Sequence, residues 1–201
     1  MFATPHSSAF DGDPENTRER YRLLCARFAQ ILPEVKLYLG CEVYCDAVRM
    51  PEVLSRLRTG QYPTMNGTKF VLIEFSRRVM PESTTPCVEA LVRADYTPIL
   101  AHMERYKYLW GNIDLVDRFR KRGAKIQINA YSLLEEQDAS IRNWARRLVL
   151  EKKADFLGTD AHRTYHRPPC AERGLQWLYE NVSLEYANAI SWGNASRLLV
   201  R

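Results

Sequence analysis

A chain of 201 residues is long enough to bury a core of its own, and 46% hydrophobic with 26% charged residues is an ordinary globular composition. No apolar run approaches the roughly 20 residues of a membrane-spanning helix, and the first residues lack the basic-then-apolar order of a secretory leader. The net charge of +5 allows nucleic acid, anionic lipid or a phosphorylated substrate as a partner, but it is dispersed, which argues against a nucleic-acid face of clustered cations and aromatics. Five cysteines, an odd number without a Cys-x-x-Cys pair, point to a reduced, cytoplasmic protein.

In chain order, short apolar runs alternate with amphipathic stretches. Phe2-Ala3-Thr4 reads as a strand, with His6 just beyond it. Residues 15–32 read as a helix, with Asp13 as its cap and Pro14 in its first turn. VKLYLGCEVYC (35–45) is the next strand and PEVLSRLR (51–58) a short helix. KFVLIEFS (69–76) is a strand, and 81–94 carries a helix expected to start after Pro86, because proline donates no hydrogen bond. YTPILAHMERY (96–106) reads as a strand. NIDLVDRFRKRG (112–123) reads as a helix whose last turn is cationic and which Gly123 stops. AKIQINAYS (124–132) is a strand, 138–153 a strongly amphipathic helix and ADFLGTDAH (154–162) the last strand. Helical stretches at 170–182, 183–190 and 194–200 close the chain. Buried strands alternating with helices argue for an α/β fold around a parallel sheet, with residues 1–201 as one domain.

In a β/α barrel, chemistry gathers at the C-terminal ends of the strands. The polar residues there are His6, Glu42, Glu74, His102 and the pair Asp160/His162. All are imidazoles or carboxylates, the ligand types of zinc, manganese and iron. Each alone reads better as a packing or capping group. Together they favour a metal site, because a carboxylate inside a run such as VLIEF is costly unless paired or metal-bound. Asp160-x-His162 is expected to set both side chains on one face of an extended segment. Arg105 and Arg167 stand close to these residues in sequence, and guanidinium groups bind phosphate through paired donors. The plainer alternative pairs Arg105 with Glu104 or another acid and leaves Arg167 in an exposed loop. His166 is assigned no role.

ATPH, GCEVY, LIEF, AHMERY, GTDAH followed by HRPP, and NASRLL together resemble the capsule-type bacterial protein-tyrosine phosphatases of the PHP (polymerase and histidinol phosphatase) superfamily, over essentially the whole chain. INAYSLL (128–134) is similar to the family's INAGSL, with Tyr131 in place of a usual glycine, and Ser7 and Met103 are smaller departures. The resemblance implies a distorted, TIM-like β/α barrel holding divalent metal ions, manganese foremost, with two or three in a complete member. It implies hydrolysis of phosphotyrosine on a bacterial tyrosine kinase that governs capsular and exopolysaccharide synthesis in the cytoplasm. His6, Glu42, Glu74, His102, Asp160 and His162 then correspond to metal ligands, Glu74 to the bridging carboxylate, and Arg105 and Arg167 to the phosphate-binding arginines. Family members open with a strand carrying His-x-His, then an acidic loop and a helix. No His-x-His occurs here, so the barrel is expected to be incomplete at its N-terminus, either through a start upstream or through a natural truncation. No cysteine nucleophile is expected. Two other readings stay open: a PHP phosphatase acting on a small phosphomonoester such as histidinol phosphate, and a non-catalytic remnant that binds a phosphorylated protein without turning it over. Self-association is also left open.

Overall fold

In the computed structural model, which describes residues 1–76, 81–165, 167–169 and 171–200, parallel strands alternate with helices. The short β1 (Phe2–Ala3) leads into α1 (Ser8–Asp11) and α2 (Pro14–Ile31) and pairs with β2 (Tyr38–Leu39). β3 (Glu42–Tyr44), β4 (Phe70–Glu74), β5 (Thr97–Leu100), β6 (Lys125–Asn129) and β7 (Phe156–Gly158) then lie side by side in sequence order, all parallel. Their crossovers are α3 (Met50–Arg58), α4 (Pro81–Arg93), α5 (Ile113–Lys121) and α6 (Ala139–Leu150), while α7 (Glu172–Asn181) and α8 (Leu184–Asn188) follow the last strand. Among the described residues no pairing joins β7 to β1, so the sheet is open on that side.

The helix starts follow the local chemistry. Asp13 accepts the Asn16 amide at 3.0 Å and Pro14 opens α2, as the sequence predicts. Asn112 and Asp138 cap α5 and α6 in the same way, through the amides of Leu115 and of Ser140. Past α5, Gly123 takes a φ of 95°, the left-handed turn its position requires. Helix α4 differs from expectation: it begins at Pro81 and carries Pro86 inside. α2 is the outlier in packing, since none of its residues is buried and Leu23 and Leu24 are exposed.

The expected strand 35–45 is two strands. The chain changes partner at Gly40-Cys41, where β2 leaves its ladder with β1 and β3 joins β4. The N-terminal ladder nevertheless runs on past this break. Gly40 donates to Ala3 O at 2.9 Å, Glu42 to Pro5 O at 3.0 Å, and Ser7 to Glu42 O at 2.9 Å. A parallel bridge between His6 and Glu42 results, which sets those two side chains at one level.

Alternation along the strands separates two faces. Val71, Ile73, Leu100, Ile126 and Ile128 are fully buried in the main core beneath the crossover helices. On the opposite face Phe70, Leu72, Ile99 and Phe156 form a smaller cluster with Phe2, Met65 and, from the last 3-10 turn (Asn194–Leu198), Leu198. Toward the C-terminal strand ends the same alternation presents Glu74, Gln127 and Asn129 instead of apolar groups. One helix contact is tight enough to test. A Cβ at Gly174 in α7 would stand 2.8 Å from Cβ of Ala130 and overlap its carbonyl oxygen. Gly174→Ala is therefore expected to destabilise the protein by about 1–3 kcal/mol, read as a fall in urea midpoint with unchanged slope. An unchanged midpoint would show that α7 can shift freely.

Candidate metal centre

Three strand ends and one turn converge. Glu42 opens β3 rather than closing its strand as expected, and β4 ends at Glu74, with Tyr44 opposite Glu74 in register; the N-terminal ladder brings His6 to Glu42. His102 lies two residues past β5, at φ 35° and ψ 51°, so the expected strand to 106 ends early and turns left-handed at the histidine. The turn aims the imidazole back at the strand ends. His6 Nδ1 lies 3.2 Å from Glu42 Oε2 and 3.1 Å from Glu74 Oε1. His102 Nε2 lies 3.1 Å from Glu42 Oε1 and 3.6 Å from Glu74 Oε2. Each carboxylate thus turns one oxygen to each imidazole. His162 adds a third ring, its Nε2 3.3 Å from His6 Nε2.

This donor set fits a hard-to-borderline divalent cation. Ligand atoms of His6, Glu42 and Glu74 all lie within 4.8 Å of one another, and carboxylate with imidazole suits manganese, iron or zinc. Within the cluster the carboxylates and imidazoles pair with one another. Burial opposes ionisation of Glu74, but hydrogen bonding to His102 and the charges of His6 and His102 outweigh it and hold its carboxyl below the ordinary value. For His102, burial works against the charged ring, yet hydrogen bonds to Glu42 and Glu74 prevail and raise it to about 9.

Asp160 and the two arginines form a second group beside the first. Asp160 Oδ2 accepts from Arg105 Nη1 at 2.5 Å and from Arg167 Nη1 at 2.7 Å. Burial would raise the Asp160 carboxyl, but Arg105, His102 and Arg167 together hold it low. The expected extended Asp160-x-His162 pair is not extended: β7 stops at Gly158 and Asp160 has a φ of 49°. The two side chains still meet, with His162 Nδ1 3.5 Å from Asp160 Oδ1 and 2.9 Å from its carbonyl oxygen. Of the acids open to Arg105 it is Asp160, not Glu104, that pairs with it. Glu104 is fully buried, accepts from Ser132 Oγ at 2.7 Å and from the Asn129 amide at 3.3 Å, and burial raises its carboxyl. His166 lies outside the described residues.

Cys87 and Arg93 stand at Cys-x5-Arg spacing, the signature of thiol phosphatases, although no such loop was expected. Both belong to helix α4 rather than to a phosphate-cradling loop. Cys87 is buried, donates to Ser83 O, and has its thiol pushed up to about 11, mainly by burial, while the Arg93 side chain is 70% exposed. A helix cannot wrap a phosphate with these two groups, so the spacing carries no chemistry.

Sequence reasoning passed over Gln127 and Asn129, which flank the site from β6. Their signal is the strict alternation in KIQIN, where Ile126 and Ile128 face the core and polar groups face inward.

A family model described as capsular polysaccharide synthesis, CpsB/CapC, matches residues 1–200. The chain belongs to the CpsB/CapC family. Tyrosine-protein phosphatase CpsB of Streptococcus agalactiae is 25% identical over 204 residues, spanning 99% of this chain and 79% of that protein. The putative tyrosine-protein phosphatase CapC of Staphylococcus aureus is 30% identical over 170 residues, spanning 84% and 65%. Tyrosine-protein phosphatase YwqE of Bacillus subtilis is 27% identical over 189 residues, spanning 92% and 72%. Among solved structures, one from the work on YwqE of Bacillus subtilis and CpsB of Streptococcus pneumoniae, unique metal-dependent tyrosine phosphatases, superposes with a TM-score of 0.86. It shares 26% identity and covers 98% of this chain and 79% of that one. The fold is therefore the PHP-type α/β fold of this CpsB/CapC family, as the motifs implied.

Proposed function

We propose that this chain is a metal-dependent protein-tyrosine phosphatase that dephosphorylates a bacterial tyrosine kinase in the control of capsular polysaccharide synthesis. One observation carries the reading. Two guanidinium groups converge on a single oxyanion, Asp160 Oδ2, beside a cluster of imidazoles and carboxylates. The CpsB/CapC membership and the phosphatase names of its relatives support it.

His6, Glu42, Glu74, His102, Asp160 and His162 would hold the divalent ions, manganese first among them, with Glu74 facing both His6 and His102 as a bridging carboxylate would. Ions bound there supply Lewis-acid charge and a water made nucleophilic at neutral pH. The chain's own groups do the positioning. Arg105 and Arg167 grip the phosphoryl oxygens through paired donors and meet the charge that grows on them. Asp160 keeps both guanidiniums aimed at the strand ends. The half-exposed His6 and Arg167, at 48% and 36% side-chain exposure, leave the entrance open to a tyrosine presented by another protein. Cys41, Cys45 and Cys87 are buried, with thiols raised by burial, and take no part. No helix among the described residues is long and apolar enough to cross a membrane, which suits a single domain working in the cytoplasm.

The test compares turnover of a phosphotyrosine peptide with that of histidinol phosphate, before and after iodoacetamide. The peptide is expected to be favoured by at least about tenfold in kcat/KM, and alkylation to leave the rate unchanged. Preference for histidinol phosphate would replace the tyrosine substrate with a small ester. Tight phosphopeptide binding without turnover would make the chain a binding protein. Inactivation by iodoacetamide would reopen thiol chemistry.

A further inference from the structure

Two side chains on β6 that the mechanism leaves idle join its two halves. Gln127 Oε1 accepts the backbone N–H of His102 at 2.7 Å. Gln127 Nε2 donates to Asn129 Oδ1 at 2.9 Å. Asn129 Nδ2 in turn reaches Asp160 Oδ2 at 3.4 Å, the oxygen that Arg105 and Arg167 share. The contacts thus run unbroken from the backbone of His102, whose imidazole faces Glu42 and Glu74, to the carboxylate that aims the guanidiniums.

Both ends need holding. His102 and Asp160 sit at φ values of 35° and 49°, where residues other than glycine stay only when their surroundings fix them. Gln127 supplies the acceptor for the His102 amide. Asn129 is 1% exposed, so its amide has no water to turn to if Gln127 is lost. The fold also makes room for the bridge. A Cβ at Gly158, on the neighbouring strand, would stand 2.6 Å from Gln127 Nε2 and 3.3 Å from its Cδ.

We propose that Gln127, through Asn129, is a positioning residue that couples metal binding at His6, Glu42, Glu74 and His102 to oxyanion binding at Arg105 and Arg167. It rests on the phosphatase reading above, but its test does not depend on turnover. Gln127→Met keeps the side-chain length and removes both of these hydrogen bonds, together with the local one from Nε2 to Ile128 O at 2.7 Å. Manganese is titrated into the purified chain by calorimetry, then orthophosphate at saturating manganese, alongside a thermal melt. The variant is expected to lose about tenfold in manganese affinity, the usual effect of removing a group that orients a ligand, and severalfold in orthophosphate affinity. Its Tm should fall by no more than a few degrees.

Gly158→Ala leaves Gln127 in place but presses on its amide nitrogen, and it is expected to weaken both affinities in the same direction. If Gln127→Met is too unstable to titrate, Gly158→Ala decides alone. Wild-type affinities in both variants, or a lowered Tm with both affinities intact, would overturn the proposal. So would a wild-type chain that binds no manganese. A wild-type chain that binds manganese and orthophosphate but hydrolyses no phosphopeptide would remove the phosphatase reading while leaving the relay decided by its own titrations.

Discussion

Glu74→Gln is expected to lower turnover of a phosphotyrosine peptide at saturating manganese by about a thousandfold, roughly 4 kcal/mol of transition-state stabilisation. Glutamine keeps the size and one acceptor oxygen but removes the negative charge. Glu74 ends β4, between β3 and β5, and presents one oxygen 3.1 Å from His6 and the other 3.6 Å from His102. A neutral amide there would attract a cation poorly. The substitution should also leave a trace in the metal-free protein. The Glu74 carboxyl is held below its ordinary value of 4.5 in the folded state. The stability it contributes is therefore present above the unfolded value and lost as pH falls through the folded one. The variant should be less stable than wild type near neutrality and equal to it in strong acid. Metal-dependent turnover within tenfold of wild type would remove Glu74 from the site.

Arg105→Lys is expected to cost about a hundredfold in kcat/KM, almost as much as Arg105→Ala. Lysine keeps the charge but cannot offer two coplanar N–H donors to one oxyanion. Arg105 is the more enclosed of the pair, with 19% side-chain exposure against 36% for Arg167. It also belongs to the short 3-10 turn Met103–Arg105 that follows His102, so its guanidinium is fixed by the turn that aims the imidazole. Arg167→Lys should cost less, about tenfold. The measurement is kcat and KM on the peptide for all three variants, with orthophosphate inhibition as a second readout. Near-normal kinetics for Arg105→Lys would mean that charge alone, not the fork, does the work.

Much of this fold was legible because its signals are local. Capping carboxylates, Gly123 and the alternation of apolar strands with amphipathic helices each act within a few residues, and helices and strands stand close to where these predict. The site was legible for a different reason. Imidazoles and carboxylates recurring along successive apolar strands have no inexpensive explanation in packing when taken together, and it is as a set that Glu42, Glu74 and His102 stand out. What stayed hidden depends on contacts distant in sequence. The left-handed turns at His102 and Asp160 are fixed by groups far along the chain, such as the Gln127 amide that holds His102. The break at Gly40 reflects a change of strand partner, which no local pattern reports. Glu104 looked like a partner for Arg105 because the two are adjacent, yet neighbours on a tight turn point apart, and Glu104 goes inward to Ser132. The Cys87–Arg93 spacing shows the reverse hazard, a motif that matches in sequence and fails because a helix carries it.

The most direct test of metal-dependent phosphotyrosine hydrolysis is to assay the purified 201-residue chain on a phosphotyrosine peptide, with manganese and again with excess chelator. The expected result is turnover that rises with manganese and disappears with chelator, restored when the metal is returned. Turnover that survives chelation, or none from folded protein shown to have bound manganese, would contradict the mechanism.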